Sequence, residues 1–411
     1  MRTEPKIRFK EFTDAWEQRK LGEHAIIKGR LGWKSLKQEE YTLEGPSMIA
    51  GKHIVNGKID WTKVDHIPDW RYDESPEIML ENEDIIFSKD GSLGNPAVIN
   101  NLTVKATINS TMMLVRTDKS IDSNFFYQIL TGEAFDRLIY LKVSGSSIPH
   151  LFQADMNEFE FLAPSLQEQR KISTFLSSAD SLIALHQRKL EELKSFKSTM
   201  LSKMFPKHGQ TVPEIRLAGF DGEWEKTKLR DVSERVQGND GRMDLPTLTI
   251  SAAQGWLSQK DRFSQNIAGK EQKNYTLLKR GELSYNHGNS KLAKYGVVFE
   301  LNNYEEALVP RVYHSFKVNE LANPRFIETM FATKQPDREL RKLVSSGARM
   351  DGLLNINYDD FMGISIIIPT VHEQETIGEF FSNLDDLISS TQLKIEELET
   401  LKKKLLQEMF V

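Results

Sequence analysis

Cysteine is absent from the 411 residues, which excludes disulfides and thiolate metal sites and fits a cytoplasmic protein. No apolar run reaches the roughly 18 residues a membrane-spanning helix needs, so no membrane partner is expected. The opening segment, MRTEPKIRFKEF, lacks the apolar stretch of a signal peptide. Basic charge is not in excess either. The net charge is −5 and the sequence pI near 6.1, which runs against the basic face of a simple nucleic-acid binder. Sequence motifs of catalysis are missing as well. No two prolines are adjacent, so an Asp/Asn-Pro-Pro-Tyr/Phe motif for amino methylation is excluded. Neither GxGxxG nor GxxxxGK[ST] occurs, and no HExxH or His-rich metal spacing is found. These absences point to a non-catalytic protein with neither cofactor nor metal of its own.

What the chain does contain is one unit written twice. Pro5 to Leu21 (PKIRFKEFTDAWEQRKL) returns as Pro213 to Leu229 (PEIRLAGFDGEWEKTKL), identical at eight of 17 positions in a register of 208 residues. Pro164 to Phe205 returns as Pro369 to Phe410, identical at 18 of 42 positions in a register of 205. Two collinear matches at nearly one offset mark a tandem duplication. The segments between them, 23–143 and 231–344, align only in patches. Alike ends imply a shared structural task. Unlike middles imply two different things to recognise.

The two helical blocks follow a coiled-coil pattern. Leu176, Ala179, Ile183, His186, Leu190, Leu193, Met200 and Met204 lie at alternating spacings of three and four, with one position skipped. Phe381, Leu384, Ile388, Thr391, Ile395, Leu398, Leu405 and Met409 repeat the pattern, and the skipped position is lysine in both, Lys197 and Lys402. A 3.5-residue period over about four heptads predicts a coiled-coil seam. Two such helices in one chain pair most simply with each other, antiparallel. The expected fold is therefore α+β: a tandem duplication of a mixed α/β block followed by a long helix, with pseudo-two-fold symmetry. The expected boundaries are 1–163, 164–210, 211–368 and 369–411. The helix pair is either purely structural or also a dock for partners.

Within the middles, Val104 to Thr117 and Gly296 to Leu301 have strand composition, while Ser123 to Leu141 and Asn323 to Leu343 have helical spacing. Gly-rich loops follow the matching leads EDIIF and GELSY, and Ser/Gly stretches follow both helical segments. Basic residues gather locally: 25–38 hold Lys28, Arg30, Lys34 and Lys37 without an acid, and 279–297 hold Lys279, Arg280, Lys291 and Lys294 against Glu282 alone. Such side chains can contact phosphates and base edges. They are also what ordinary solvated turns are made of.

The repeated P-x-x-x-E-Q-x-x-I signature stands as PSLQEQRKI from Pro164 and PTVHEQETI from Pro369. Each precedes a long helix ending in Met-Phe, and each repeat opens on a Trp-Glu segment, at Trp16 and Trp224. In these features the whole chain resembles the specificity subunits of type I restriction-modification systems. The resemblance implies two target recognition domains, each reading half of a split double-stranded DNA site, with the helix pair as a ruler for the spacer. It implies two methyltransferase subunits as partners, and translocase-nuclease subunits in the restriction form. S-adenosylmethionine, ATP and magnesium would sit on those partners. The candidate DNA-binding residues are Lys28, Arg30, Lys34, Lys89, Ser92, Ser146 and Ser147 in the first block. In the second they are Asn286, His287, Lys291, Lys294, Arg311, Ser345, Ser346 and Arg349. The competing reading is a non-catalytic coiled-coil scaffold whose globular blocks bind proteins.

Overall fold

The computed structural model describes residues 4–30, 36–143, 149–263, 269–288, 290–344 and 354–410. The chain divides into two compact units: Met1–Arg188 with Gln392–Val411 (unit 1), and Lys189–Thr391 (unit 2). Among the described residues no helix is long and apolar enough to cross a membrane.

Unit 1 is organised around a four-stranded antiparallel sheet in the order Ala25–Gly29, Met112–Thr117, Ile85–Ser88, Gly94–Val98. The strand Ile85–Ser88 is buried along its whole length, as a central strand covered on both faces must be. A second strand pair, Glu17–Lys20 with Glu160–Ala163, ties the start of the block to its end. One stretch predicted as a single strand, 104–117, is two: Ala106–Ile108 pairs in parallel with Thr42–Ile49, and Met112–Thr117 joins the central sheet. The predicted helix over 123–141 is also two, Ser123–Leu130 and Glu133–Val143. Asp122 caps the first of these by accepting from the Phe125 backbone N–H at 2.8 Å.

Unit 2 repeats the central sheet strand for strand: Ser233–Val236, His314–Val318, Leu283–Asn286, Val297–Glu300. Its closing pair is Glu225–Lys228 with Ser365–Ile368. Pro324–Ala332 replaces Ser123–Leu130, capped by Asn323 in the same way at 3.1 Å. The two units part company beside the central sheet. Unit 1 adds Asp65–His66, Thr42–Ile49 and Ala106–Ile108 as a three-stranded sheet; unit 2 adds the separate pairs Leu248–Ser251 with Gly255–Ser258 and Thr276–Lys279 with Glu306–Val309. The unlike middles of the sequence thus fold into a shared central sheet and these differing additions.

The long helices are Leu166–Lys203 and Val371–Met409, 38 and 39 residues. At 1.5 Å per residue each is about 57 Å long. Both seams are buried or half-buried throughout, with Leu176, Ile183 and Leu190 on the first and Phe381, Leu384 and Ile395 on the second among the most enclosed. Within unit 1 the helices run antiparallel: Lys402 Nζ meets Asp180 at 2.5 Å, and seven residues further along, Gln187 meets Glu399 at 3.3 Å. Within unit 2, Lys197 pairs with Asp385 in the same manner. The lysine that interrupts each apolar seam thus has an aspartate waiting on the facing helix. Gly378 allows a close approach. A Cβ there would lie 3.0 Å from Cβ of Arg325 and 3.2 Å from Oδ1 of the capping Asn323.

The Glu-Gln of the repeated signature fastens helix to block. Gln169, fully buried, donates to the carbonyls of Pro164 at 2.9 Å and Ser120 at 3.2 Å and accepts from the Asp122 N–H at 2.9 Å. Gln374 does the same with Pro369 at 2.9 Å, Leu321 at 3.1 Å and the Asn323 N–H at 3.0 Å. Glu168 and Glu373 each receive a two-pronged arginine: Arg8 at 2.8 Å through both nitrogens, and Arg216 at 2.8 and 2.6 Å. The terminal Met-Phe of each helical block is core. Met204 and Phe205 pack into unit 2 beside Trp224 and Phe326, and Met409 packs into unit 1 beside Trp16 and Phe125.

Candidate nucleic-acid interface

Register places the candidate residues at one end of the central sheet in each unit. In unit 1, Gly29 pairs with Met113, Met112 with Ser88, and Ser88 with Gly94, so 29–30, 88–94 and the turn before Met112 converge. Lys28 lies one residue inside this end, opposite Leu114, and Ser92 is exposed in the loop after Ser88. Lys89 is less free than its charge suggested. Its side chain is 14% exposed and its Nζ lies 3.4 Å from Asp90. Arg30 is buried at 4%, with its guanidinium 3.8 Å from Glu74. Burial holds its pKa below the ordinary arginine value, and Glu74 opposes that shift. Arg71 carries the network on, to Glu40 at 2.6 Å and Glu74 at 2.7 Å. Lys34, Ser146 and Ser147 lie outside the described residues.

In unit 2, Val236 pairs with Ser315, Tyr285 with His314 and Asn286 with Val297, which defines the equivalent end. Asn286 shapes the loop there: its Nδ2 donates to the Ile250 carbonyl at 3.2 Å, and its Oδ1 accepts from Gly288 N–H at 3.1 Å. His287 is buried at 6%, its Nδ1 donating to the Leu354 carbonyl at 2.9 Å. Lys291 and Lys294 are exposed in the connection between the two strands, with Lys294 Nζ 5.7 Å from the Tyr295 ring. Arg311 is exposed in the turn leading to His314. Ser345, Ser346 and Arg349 lie outside the described residues. The structure therefore brings Lys28, Arg30, Lys89 and Ser92 to one end of their sheet, and Asn286, His287, Lys291, Lys294 and Arg311 to the matching end of theirs. Of these, Arg30, Lys89 and His287 are turned inward or paired.

Three neighbours at these ends, Asp90, Phe152 and Arg235, carry no signal in the sequence reading, whereas His150, in a polar loop, is expected there to hydrogen-bond. Asp90 bonds His150, Phe152 lies against the His150 ring at 4.3 Å, and Arg235 stacks over Tyr358 at 4.2 Å. The signal available was positional: His150 and Phe152 directly follow the Ser/Gly stretch of the first repeat.

His314, beside His287 at 4.9 Å, donates through Nε2 to the Ile356 carbonyl at 2.9 Å. Burial pushes its pKa down to about 4, with His287 and Arg235 adding to the effect and the Ile356 carbonyl opposing it. The folded imidazole stays neutral where the unfolded one, with its ordinary value of 6.5, takes a proton. That stability is present in full above the unfolded value and is lost as pH falls toward the folded one. His314→Gln keeps a donor and removes the titration. Melting curves should show the wild type losing about 2 kcal/mol more than this variant between pH 7 and 4.5. Parallel losses in the two proteins would refute the assignment.

The profile of the type I restriction modification DNA specificity domain family matches residues 14–195. The chain is similar to the specificity subunit of the type I restriction enzyme MjaVIII of Methanocaldococcus jannaschii, 22% identical over 80% of this chain and 79% of that one. It is similar to the EcoKI specificity subunit of Escherichia coli (strain K12), 23% identical over 88% of this chain and 81% of that one. The crystal structure of the type I restriction-modification S subunit from M. genitalium has the same fold. It superposes with a TM-score of 0.60 at 13% identity, covering 99% of both chains.

Proposed function

We infer that the chain belongs to the specificity subunits of type I restriction-modification systems and gives such an enzyme its DNA sequence specificity. The observation that carries this reading is the duplicated sheet whose matching ends bear unlike side chains: Lys28 and Ser92 in one unit, Lys291, Lys294 and Arg311 in the other. Identical frames with different polar faces suit a target of two unlike halves. Each unit reads one half of a bipartite double-stranded site, and the helices set the unread spacer between the halves. The chain is non-catalytic. Two methyltransferase subunits bring S-adenosylmethionine, and translocase-nuclease subunits bring ATP and magnesium. Exposed leucines on the helices, Leu185 at 63% and Leu393 at 60%, support docking of the methyltransferase there. With few uncommitted cations on the described sheet ends, the partners supply much of the phosphate contact, and the chain alone binds DNA weakly.

The test is a genome-wide map of N6-methyladenine in cells expressing this chain with a type I methyltransferase subunit, against cells lacking the chain. A split, asymmetric motif appearing only with the chain is the expected result. Absence of any motif, together with failure of the two subunits to co-purify, would favour the scaffold reading. One further outcome concerns the ruler. Lengthening either long helix by one turn, about 5.4 Å, should change the spacer and leave both half-sites intact. An unchanged spacer in the same methylation map would refute the ruler.

A further inference from the structure

The central sheet ends share a backbone device that the sequence repeat conceals. In unit 1, the loop after strand Ile85–Ser88 is stitched to the segment following the helices: Leu151 N–H donates to the Lys89 carbonyl at 2.9 Å. In unit 2, Leu354 N–H donates to the His287 carbonyl at 2.9 Å. Lys89 and His287 follow the corresponding leads EDIIF and GELSY at the same distance, so this is one bond made twice. Both leucines are buried, Leu151 at 0% and Leu354 at 4%, and anchor the second loop from below. The residue after each leucine is exposed and differs: Phe152 at 58% in unit 1, Asn355 in unit 2.

Unit 1 builds more onto this frame. Asp90 and His150 form a backbone bridge, and the Asp90 carboxylate accepts from His150 Nδ1. A carboxylate can only accept, so the proton on the imidazole lies at Nδ1 and Nε2 is the nitrogen left to face a ligand. The ring is 30% exposed and lies against Phe152. Lys89 Nζ sits on the other side of Asp90 at 3.4 Å. The result is a fixed edge: an oriented imidazole beside an exposed phenyl ring, on a segment held by the Asp90–His150 bridge and the Leu151 bond. Lys89 N–H also donates to the Thr111 carbonyl at 2.8 Å, which fixes the base of the loop to the neighbouring strand turn.

We propose that this stitched loop pair is the base-reading edge of each unit, with His150 and Phe152 determining specificity in unit 1, Asp90 as the positioning residue for His150, and Asn355 determining specificity in unit 2. The ligand chemistry is the major-groove edge of duplex DNA. An imidazole nitrogen can hydrogen-bond a base edge, a phenyl ring suits the thymine C5-methyl group, and an asparagine amide suits the N6/N7 edge of adenine. The frame is common to both units and the presented groups are not, which is how one fold can read two unlike half-sites. The inference rests on the specificity-subunit reading above, and its test separates the two.

The experiment is the methylation map with the full chain and a methyltransferase subunit, using His150→Gln, Phe152→Leu, Asp90→Asn and Asn355→Ala. Each variant is first shown to co-purify with its partner. Substitutions at 90, 150 and 152 should relax one or two positions in one half-site and leave the other half-site unchanged; Asn355→Ala should do the reverse. Discrimination at the affected base pair should fall about tenfold or more. A variant that co-purifies but methylates nothing is titrated with oligonucleotides altered one base pair at a time. Affinity that no longer distinguishes one or two pairs supports base reading, whereas affinity lowered equally for every sequence overturns it. An unchanged motif in all four variants overturns the proposal and leaves the function standing. A wild type that neither yields a split motif nor co-purifies with the methyltransferase subunit removes both.

Discussion

Arg8→Ala should destabilise unit 1 by about 3–5 kcal/mol, because it leaves a buried carboxylate with no counter-charge. Glu168 is 1% exposed, and Arg8, itself 14% exposed, meets it through two nitrogens at 2.8 Å. The Arg8 guanidinium also donates to the Asp14 carbonyl at 2.6 Å, so the same side chain holds the N-terminal segment in place. Its pKa is raised above the ordinary arginine value by the bond to Glu168, the direction expected of a cation that the fold favours. Unit 2 contains an independent copy of the experiment: Arg216 to Glu373 at 2.8 and 2.6 Å, and Arg216 to the Gly222 carbonyl at 2.5 Å. Arg216→Ala should therefore cost a similar amount, felt in unit 2. Denaturant unfolding of each variant, with hydrogen exchange to localise the loss, is the measurement. A loss under about 1 kcal/mol would place these pairs with ordinary surface ion pairs. The double variant Arg8→Met with Glu168→Leu should recover much of the deficit, since replacing a buried pair removes the desolvation cost as well as the attraction.

These arginines show how far the sequence was legible. Arg8 and Arg216, Glu168 and Glu373 were all visible as repeated letters. Their partnership was not, because 160 and 157 residues separate the members of each pair. The helix seam was readable, since its period is local. Even its flaw was informative: the lysine skipped in both seams marks where Asp180 and Asp385 face it from the other helix. Helix breaks were less visible. Apolar spacing continues across Thr131 and Gly132, where the first helix ends, and across Lys334, whose φ of 61° lies in the left-handed region and stops the second. At the candidate interface, residue type picked out positions that the register gathers at one end of each sheet, but could not give exposure. Arg30 and His287 carry suitable polar groups, yet both are turned inward. Phe152, an apolar residue, carries no charge signal in the sequence, yet it is exposed beside His150.

Phe410→Ala, a change late in the chain, should loosen unit 1, which holds the early residues. Phe410 stacks on Phe125 with ring centroids 5.4 Å apart and meets Trp16 edge-on at 6.1 Å. Just before it, the Ile7 N–H donates to the Glu408 carbonyl at 2.9 Å. Phe205 holds the same place in unit 2, stacked on Phe326 at 5.5 Å and edge-on to Trp224 at 5.7 Å. Phe205 is 1% exposed, so its removal should cost about 3–5 kcal/mol, the range for emptying a phenylalanine site in a packed core. Phe410 is only half-buried and should cost less, about 2–3 kcal/mol on the same reasoning. Location matters more than size here. Hydrogen exchange in Phe410→Ala should quicken along Ser123–Leu130 and Glu17–Lys20 while Pro324–Ala332 keeps its protection. Phe205→Ala should give the opposite pattern. If each substitution loosened the repeat in which it is written instead, the Met-Phe tails would be closing their own repeats. The observed packing has them crossing: each helical block ends as core of the unit that the other repeat supplies. Neither repeat holds a complete core by itself, which gives a physical reason for the two to be joined in one chain.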